Sequence, residues 1–319
     1  MTAFLISLAI LVGGYFIYGM FVDRILATDR NRPMPAGTMR DDIDYKPLAP
    51  WRVFLIQFLN IAGLGPIFGA IMGIMFGPAA FLWISLGTIF AGGVHDFCAG
   101  VISIRMGGKS LPEIVGSQLG KPVMQFSRVF CVVLLMLVAA VFVITPAGLL
   151  TSMSPESLDT TFWIIVIFAY YVLATLLPID KLIGNIYPLF GFALLFMAAG
   201  ILFVLLFGDV TIPVNFTSGF ASHNPQGLPV FPMMFVSIAC GAISGFHATQ
   251  SPMMARCLTN ERYARPIFYG AMVAEGIVAL IWAAAAVAFT GGYEQLSAYM
   301  AAEGHSAGSL VHDLSLIHI

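Results

Sequence analysis

Residues 54–75 read FLIQFLNIAGLGPIFGAIMGIM, a stretch without a charged side chain that is interrupted near its middle by Gly63-Leu64-Gly65-Pro66. Its length suits an α-helix crossing the hydrocarbon core of a bilayer, which takes about 20 apolar residues. Pro66 has no amide hydrogen to donate, and its ring obstructs the carbonyl of Ala62. Unwound backbone at membrane depth is tolerated only where protein or a water-filled cavity satisfies it. The stretch therefore predicts a broken membrane span.

The rest of the chain agrees with a membrane location. Of its 319 residues, 59% are hydrophobic and only 9% charged, with a mean hydropathy of +0.93. A water-soluble domain carries about 25% charged residues, so the missing polar surface must face lipid. The net charge of -2 gives no reason to expect a nucleic-acid partner. Apolar stretches near Ala3–Val22, Phe54–Met75, Ala79–Val101, Phe126–Pro146, Thr161–Leu177, Ile186–Phe207, Phe231–Ala255 and Phe268–Thr290 predict eight helical spans. The alternation of a β-barrel strand is absent. Pro78, Pro188 and Pro232 fall at predicted helix starts, Pro146 and Pro178 at ends. The first span reads as a retained helix. No basic residue precedes it, and Asp23 and Arg24 follow it without a small-residue cleavage pattern. Cys98, Cys131, Cys240 and Cys257 show no metal-binding spacing and read as small buried hydrophobes.

All 14 basic residues fall in alternate loops. Arg24, Arg30, Arg32, Arg40, Lys46 and Arg52 lie between the first two spans, and Arg105, Lys109, Lys121 and Arg128 follow the third. Lys181 stands alone, and Arg256, Arg262 and Arg265 precede the last span. The positive-inside rule then puts the N-terminus outside a bacterial-type inner membrane.

A second interruption occurs at Gly241-Ala242-Ile243-Ser244-Gly245, followed by His247 and Pro252. It lies five spans after the first, and an odd offset inverts the second copy relative to the first. Transporters built from inverted repeats place broken helices at corresponding positions and bind substrate between them. The expected fold is thus an all-α polytopic membrane protein with an inverted five-helix repeat. Residues 1–22 form an additional helix, 23–52 a cytoplasmic loop, 53–207 the first repeat, 208–230 an external loop and 231–319 an incomplete second repeat. No full span follows Thr290, so the chain reads as a fragment with a truncated second repeat, and its last residues need not be native.

Polar residues within the spans mark the chemistry. Glu275 lies about eight residues into the last span, roughly 12 Å along the helix, with no counter-charge in its own flanks. An acid there must be protonated or partnered and face the interior, which suits a proton carrier. The alternative is a neutral Glu capping a broken-helix carbonyl. His95-Asp96 follows Gly92-Gly93 in the third span, where Asp96 either serves coupling or pairs with Arg105 or Lys109 at the rim. His247 stands just beyond the second break. No nucleophile elbow, phosphate loop or metal-ligand spacing appears, so neither an enzyme nor a cofactor is expected.

At these same places the sequence resembles the carbon starvation protein A family. The matching stretches are Asp44-Tyr45-Lys46-Pro47, Ile61-Ala62-Gly63-Leu64-Gly65-Pro66-Ile67-Phe68-Gly69 and Gly92-Gly93-Val94-His95-Asp96-Phe97. They continue with Gly107-Gly108-Lys109-Ser110-Leu111, with residues 180–188 (DKLIGNIYP), and with Cys240-Gly241-Ala242-Ile243-Ser244-Gly245-Phe246-His247 and Tyr269-Gly270-Ala271-Met272-Val273-Ala274-Glu275. The resemblance implies an uptake protein of the amino acid–polyamine–organocation type with a LeuT-like inverted repeat. It also implies pyruvate or peptide uptake under nutrient limitation, proton-coupled where coupling is known. The family is longer than this chain, and Ala248-Thr249-Gln250-Ser251-Pro252 resembles its shorter branch.

Together these readings predict import of a small carboxylate or short peptide. Gly63, Gly65, Pro66, Gly241, Ser244, Gly245, Thr249 and Gln250 would form the substrate site, and Glu275, His247, Asp96 and His95 the coupling set. Backbone amides near Gly65 and Gly245 would meet the anionic end. The coupling ion is a proton, with sodium open because unwound carbonyls also suit it. A nutrient sensor using the same pocket without net flux is the rival reading, and a channel is disfavoured by the absence of a charged ring or filter motif. For topology, alkaline phosphatase fused after Ser154 is expected to be active, and fused after Lys46 or Lys109 inactive; the opposite pattern would invert the orientation.

Overall fold

The computed structural model describes residues 1–155, 157–176, 179–208, 211–213, 216, 221–243, 246–302 and 307–317, with 176, 179–188 and 315–317 as backbone only. The described residues form helices and no strand. Helix α1 (Thr2–Leu26) is followed by the single turn α2 (Pro35–Thr38) in the first long loop. The broken span predicted at residues 54–75 is present. Its halves α3 (Pro50–Ile61) and α4 (Ala70–Ile74) are joined through a π-helical turn at Gly65–Gly69 and bent by 50°.

A second π-helical turn at Thr88–Gly92 joins α5 (Ala79–Gly87) to α6 (Gly93–Arg105). Short α7 (Leu111–Leu119) leads to α8 (Lys121–Ser152), α9 (Thr160–Leu176) and α10 (Ile179–Phe207). The second break separates α11 (Val230–Ala242) from α12 (His247–Ala255). A third π-helical turn at Arg265–Tyr269 opens α13 (Gly270–Thr290), after which come α14 (Tyr293–Ala301) and α15 (Ala307–Ile317).

Among the described residues, six helical segments are long and apolar enough to cross a bilayer, and the bent α3–α4 pair makes a seventh. The eighth expected span is the shorter apolar helix α9, of 17 residues. The protein is thus multi-pass. Two proline expectations need correction. Pro188, expected at a helix start, lies inside α10. Pro146 also lies inside its helix, α8. A proline strands the carbonyl four residues before it, and here the Tyr171 hydroxyl of α9 donates to that Phe142 carbonyl at 3.2 Å.

Helix α13 runs through the centre of the bundle. Nearly every side chain from Ala271 to Val287 is buried, Trp282 among them. Large side chains such as Ile17, Phe126, Phe168 and Phe196 point outward from α1, α8, α9 and α10, which carries no hydrophobic penalty in lipid. Cys240 is exposed and the other three thiols are half-buried, so the cysteines are not the buried hydrophobes expected of them. Close packing of the centre depends on Gly92. A β-carbon there would lie 2.2 Å from the Ala242 carbonyl oxygen at the end of α11 and 3.0 Å from the Met272 methyl of α13.

The basic loops gather at one end of the bundle. Buried Glu261 accepts from the Asp29 backbone N–H (2.8 Å), from Arg32 Nε (2.9 Å) and from Arg105 Nε (2.9 Å). The Arg105 guanidinium also donates to the Leu26 and Ala27 carbonyls, where the negative end of the α1 dipole favours a cation. Gly107 and Gly108 turn at φ of 75° and 78°, a conformation natural to glycine. Their carbonyls accept from the Tyr45 hydroxyl (3.0 Å) and Arg256 Nε (2.8 Å). The two motifs around Tyr45 and Gly107 therefore meet as one latch. Beside it, the Ser110 backbone N–H and hydroxyl both donate to Glu113, which holds that carboxyl below its usual range. At the other end the Met1 ammonium donates to the Ile212 carbonyl (2.7 Å), and the His223 N–H donates to the Met75 carbonyl (3.0 Å).

Two stability outcomes are expected, both readable by reversible unfolding in mixed detergent. Gly92→Ala forces a methyl against backbone and costs about 1–3 kcal/mol. Glu261→Gln costs roughly 2–3 kcal/mol, less than the ~3–5 of a fully buried pair because both arginines keep part of their solvent.

Candidate functional site

Three ionisable side chains from three helices meet in the interior. Asp96 on α6, His247 on α12 and Glu275 on α13 are each no more than 1% exposed. The His247 imidazole stands between the two acids, its Nδ1 3.1 Å from Asp96 Oδ2 and its Nε2 3.4 Å from Glu275 Oε2. Neither ring nitrogen makes a hydrogen bond to a carboxylate oxygen, so these are close polar contacts at ion-pair distance. Asp96 Oδ1 in turn meets His95 Nδ1 at 3.0 Å, and the His95 side chain is 39% exposed. The four groups thus form a row, His95–Asp96–His247–Glu275, of which only the first reaches the edge of the packed core.

Local helix geometry sets this row in place. The π-helical turn Thr88–Gly92 precedes Asp96, and the turn Arg265–Tyr269 precedes Glu275. Such turns insert an extra residue and re-aim the side chains after them. The buried Tyr269 hydroxyl donates to the Ile89 carbonyl at 2.9 Å and ties the two turns together.

Charge accounting defines what the row can do. With His247 protonated and both acids ionised, Asp96, His247 and Glu275 carry a net charge of -1; one further proton makes them neutral. An unbalanced buried ion costs several kcal/mol. Proton uptake or release by this set therefore changes how strongly α6, α12 and α13 hold together. Among the described residues no Lys or Arg is buried beside it.

A second polar layer lies one turn along α12. Gln57 Nε2 on α3 donates to Ser251 Oγ at 3.3 Å, with both side chains fully buried. Gln57 Oε1, Gln250 Nε2 and Thr88 Oγ1 are buried without a hydrogen-bond partner among the described residues. Gln57 and Ser251 were missed in the sequence, although Gln57 is an uncharged polar residue inside an apolar span, the signal that marked Glu275. Nothing in the sequence signals Thr88.

The expected coupling residues are all brought together. Of the expected substrate residues, Gly65, Pro66 and Gly241 converge. A β-carbon on Gly241 would lie 3.3 Å from Pro66 Cα and 3.2 Å from Ala279 Cβ, one turn beyond Glu275, and one on Gly65 would lie 2.5 Å from Cys240 Cβ. Gly63 instead faces Phe142 of α8. The Thr249 hydroxyl is spent on the Phe246 carbonyl at 2.8 Å, while Gln250 is buried in the second layer. Ser244 and Gly245 lie outside the described residues. Asp96 meets His95 and His247 and not the rim cations, and Arg105 is taken by Glu261. Glu275 caps no broken-helix carbonyl among the described residues.

The family model described as "Carbon starvation protein CstA" matches residues 1–158 and 153–318 of the chain. An "Uncharacterized membrane protein" of Haemophilus influenzae is 41% identical, with 91% of each chain covered. The "Peptide transporter CstA" of Campylobacter jejuni is 30% identical over 84% of this chain and 47% of its own. The "Pyruvate/proton symporter BtsT" of Escherichia coli is 27% identical over 86% of this chain and 47% of its own. The chain therefore spans most of the Haemophilus protein and about half the length of these two transporters. No solved structure matches it.

Proposed function

This chain belongs to the carbon starvation protein CstA family, and on that premise we propose that it forms the core of a proton-coupled secondary transporter importing a small carboxylate or short peptide. The observation that carries the coupling assignment is the buried imidazole between two carboxylates. Glu275 and His247 exchange the proton, with Asp96 and His95 linking them to the edge of the core. Sodium is the alternative coupling ion.

The substrate site lies where the two breaks meet, at Gly65, Pro66, Gly241 and Gln250. Two broken helices five spans apart, packed against one another, are the arrangement that an inverted repeat of the LeuT type produces. We assign residues 53–207 to the first repeat and 231 onward to the second. The latch at the basic end and the Met1–Ile212 contact at the other lie on opposite sides of the bundle, which supports an N-terminus outside a bacterial inner membrane.

Uptake by the protein in proteoliposomes, with labelled pyruvate and labelled dialanine under imposed proton or sodium gradients, tests the proposal. Accumulation of one of them is expected under the proton gradient and is lost when that gradient is collapsed. Glu275→Gln is expected to lower accumulation by about tenfold or more, ~1.4 kcal/mol per decade, while solute exchange across the membrane continues. Unchanged accumulation in a well-folded Glu275→Gln protein would overturn the proton assignment. Accumulation driven by sodium alone would transfer coupling to that ion.

A further inference from the structure

We infer that a groove on the lipid-facing side of α1 holds an acyl chain of an anionic phospholipid, whose phosphate sits on Arg24 at the basic end of the bundle. The inference needs only that the chain lies in a membrane, and it stands apart from the interior site.

Helix α1 packs against α5 and the π-helical turn that follows it, but the two sides do not close where they face lipid. They leave a groove of about 580 Å³, walled by Ile6, Gly13 and Ile17 on one side and Leu86, Ile89 and Phe90 on the other. Adjacent glycines shape it. A β-carbon on Gly14 would lie 2.3 Å from Ile89 Cδ1, so this glycine lets α1 press against the turn. One on Gly13 would meet nothing within 4 Å, so the floor of the groove is open. Toward the basic end the Tyr18 and Phe90 rings meet edge to face, with centroids 4.7 Å apart.

Length and volume select the occupant. Ile6 to Ile17 spans about 17 Å of helix, close to the ~15 Å of hydrocarbon in one leaflet. A partner helix, ~10 Å across, occupies roughly 1,300 Å³ over that length, more than the groove holds. It could set only a ridge of side chains there, whereas an extended acyl chain lies in it whole. None of the six wall residues has a polar side-chain atom, so the part of the ligand they meet is hydrocarbon.

Charge at the mouth selects the headgroup. Helix α1 is continuous from Thr2 to Leu26, and Arg24 stands 18 residues after Ile6, five full turns on and therefore on the same face. It lies about 10 Å beyond Ile17, at the depth of the phosphate of a lipid seated below it. Arg24 is exposed and has no hydrogen bond or ion pair among the described residues, while its neighbour Asp23 accepts from the Thr28 hydroxyl at 2.7 Å. Nearby, Arg105 donates to the Leu26 and Ala27 carbonyls and shares the one carboxylate of Glu261 with Arg32. A guanidinium left over at this end matches a phosphate, and an anionic headgroup brings no competing cation of its own.

Native mass spectrometry and thermal unfolding of the purified protein test this, with palmitoyl-oleoyl phosphatidylglycerol and the phosphatidylcholine of the same chains as probes. Phosphatidylglycerol is expected to be held about fivefold more tightly, the worth of one arginine at an anionic surface, and to raise the unfolding midpoint further. Arg24→Gln is expected to remove that preference. Lys121→Gln, which deletes another exposed cation at the start of α8, is expected to leave it intact. Gly13→Leu puts a side chain into the open floor and is expected to weaken both lipids by about tenfold. Should Gly13→Leu misfold, Ile6→Trp fills the same groove from an exposed position. Equal binding of the two lipids, a preference that survives Arg24→Gln, or one that falls as far with Lys121→Gln overturns the proposal. Undiminished lipid binding in the groove-filling variant, or its conversion of a dimer to a monomer, overturns it as well.

Discussion

The interior of this protein depends on one imidazole held between two carboxylates. Asp96 and Glu275 flank the buried His247 imidazole from two other helices, and an ionised acid at that depth needs such a partner. A buried charge is expensive in a bilayer unless partnered, and this trio partners its members across three helices. The helices that carry it are therefore joined through one buried polar contact as well as through apolar packing.

The broken helices and π-helical turns follow from the same requirement. Each unwound or widened segment frees backbone groups, and each lies against another element of the interior. Gly65–Gly69 packs on α11, Thr88–Gly92 receives the Tyr269 hydroxyl at Ile89, and Gly92 meets the end of α11. Glycine at these contacts lets backbone touch backbone, which brings the two breaks together and α13 alongside them. Where a freed carbonyl lies far from this centre, a side chain supplies the partner, as Tyr171 does for Phe142 beside Pro146.

The latch at the basic end is the polar counterpart of the central trio. It joins the end of α6 to the segment following α12, through Arg105 and Glu261 and through Arg256 and Gly108. Higher up, Asp96 and His247 join the same two helices. The seam between α6 and α12 is held by a charge contact in the middle and by an ion-pair cluster at its end.

The sequence by itself determined the features that depend on local chemistry. Apolar length required spans, glycine marked both breaks with proline at the first, and an acid without a neighbour in its own span marked Glu275 as a group needing a partner. The segregation of basic residues predicted that the loops carrying them share one side, and Arg32, Arg105, Glu261 and Arg256 do lie together. Tertiary structure alone decided who the partners are. His247 lies 28 residues before Glu275 and Asp96 lies 151 residues before His247, counted along the chain, so no spacing rule could pair them. It also sent Arg105 to Glu261 and not to Asp96, turned Gly63 away from the breaks, and joined Gln57 to Ser251. A helix's own sequence states which of its groups cannot remain alone in lipid; which group answers depends on the packing of backbones that only the folded bundle brings within contact distance.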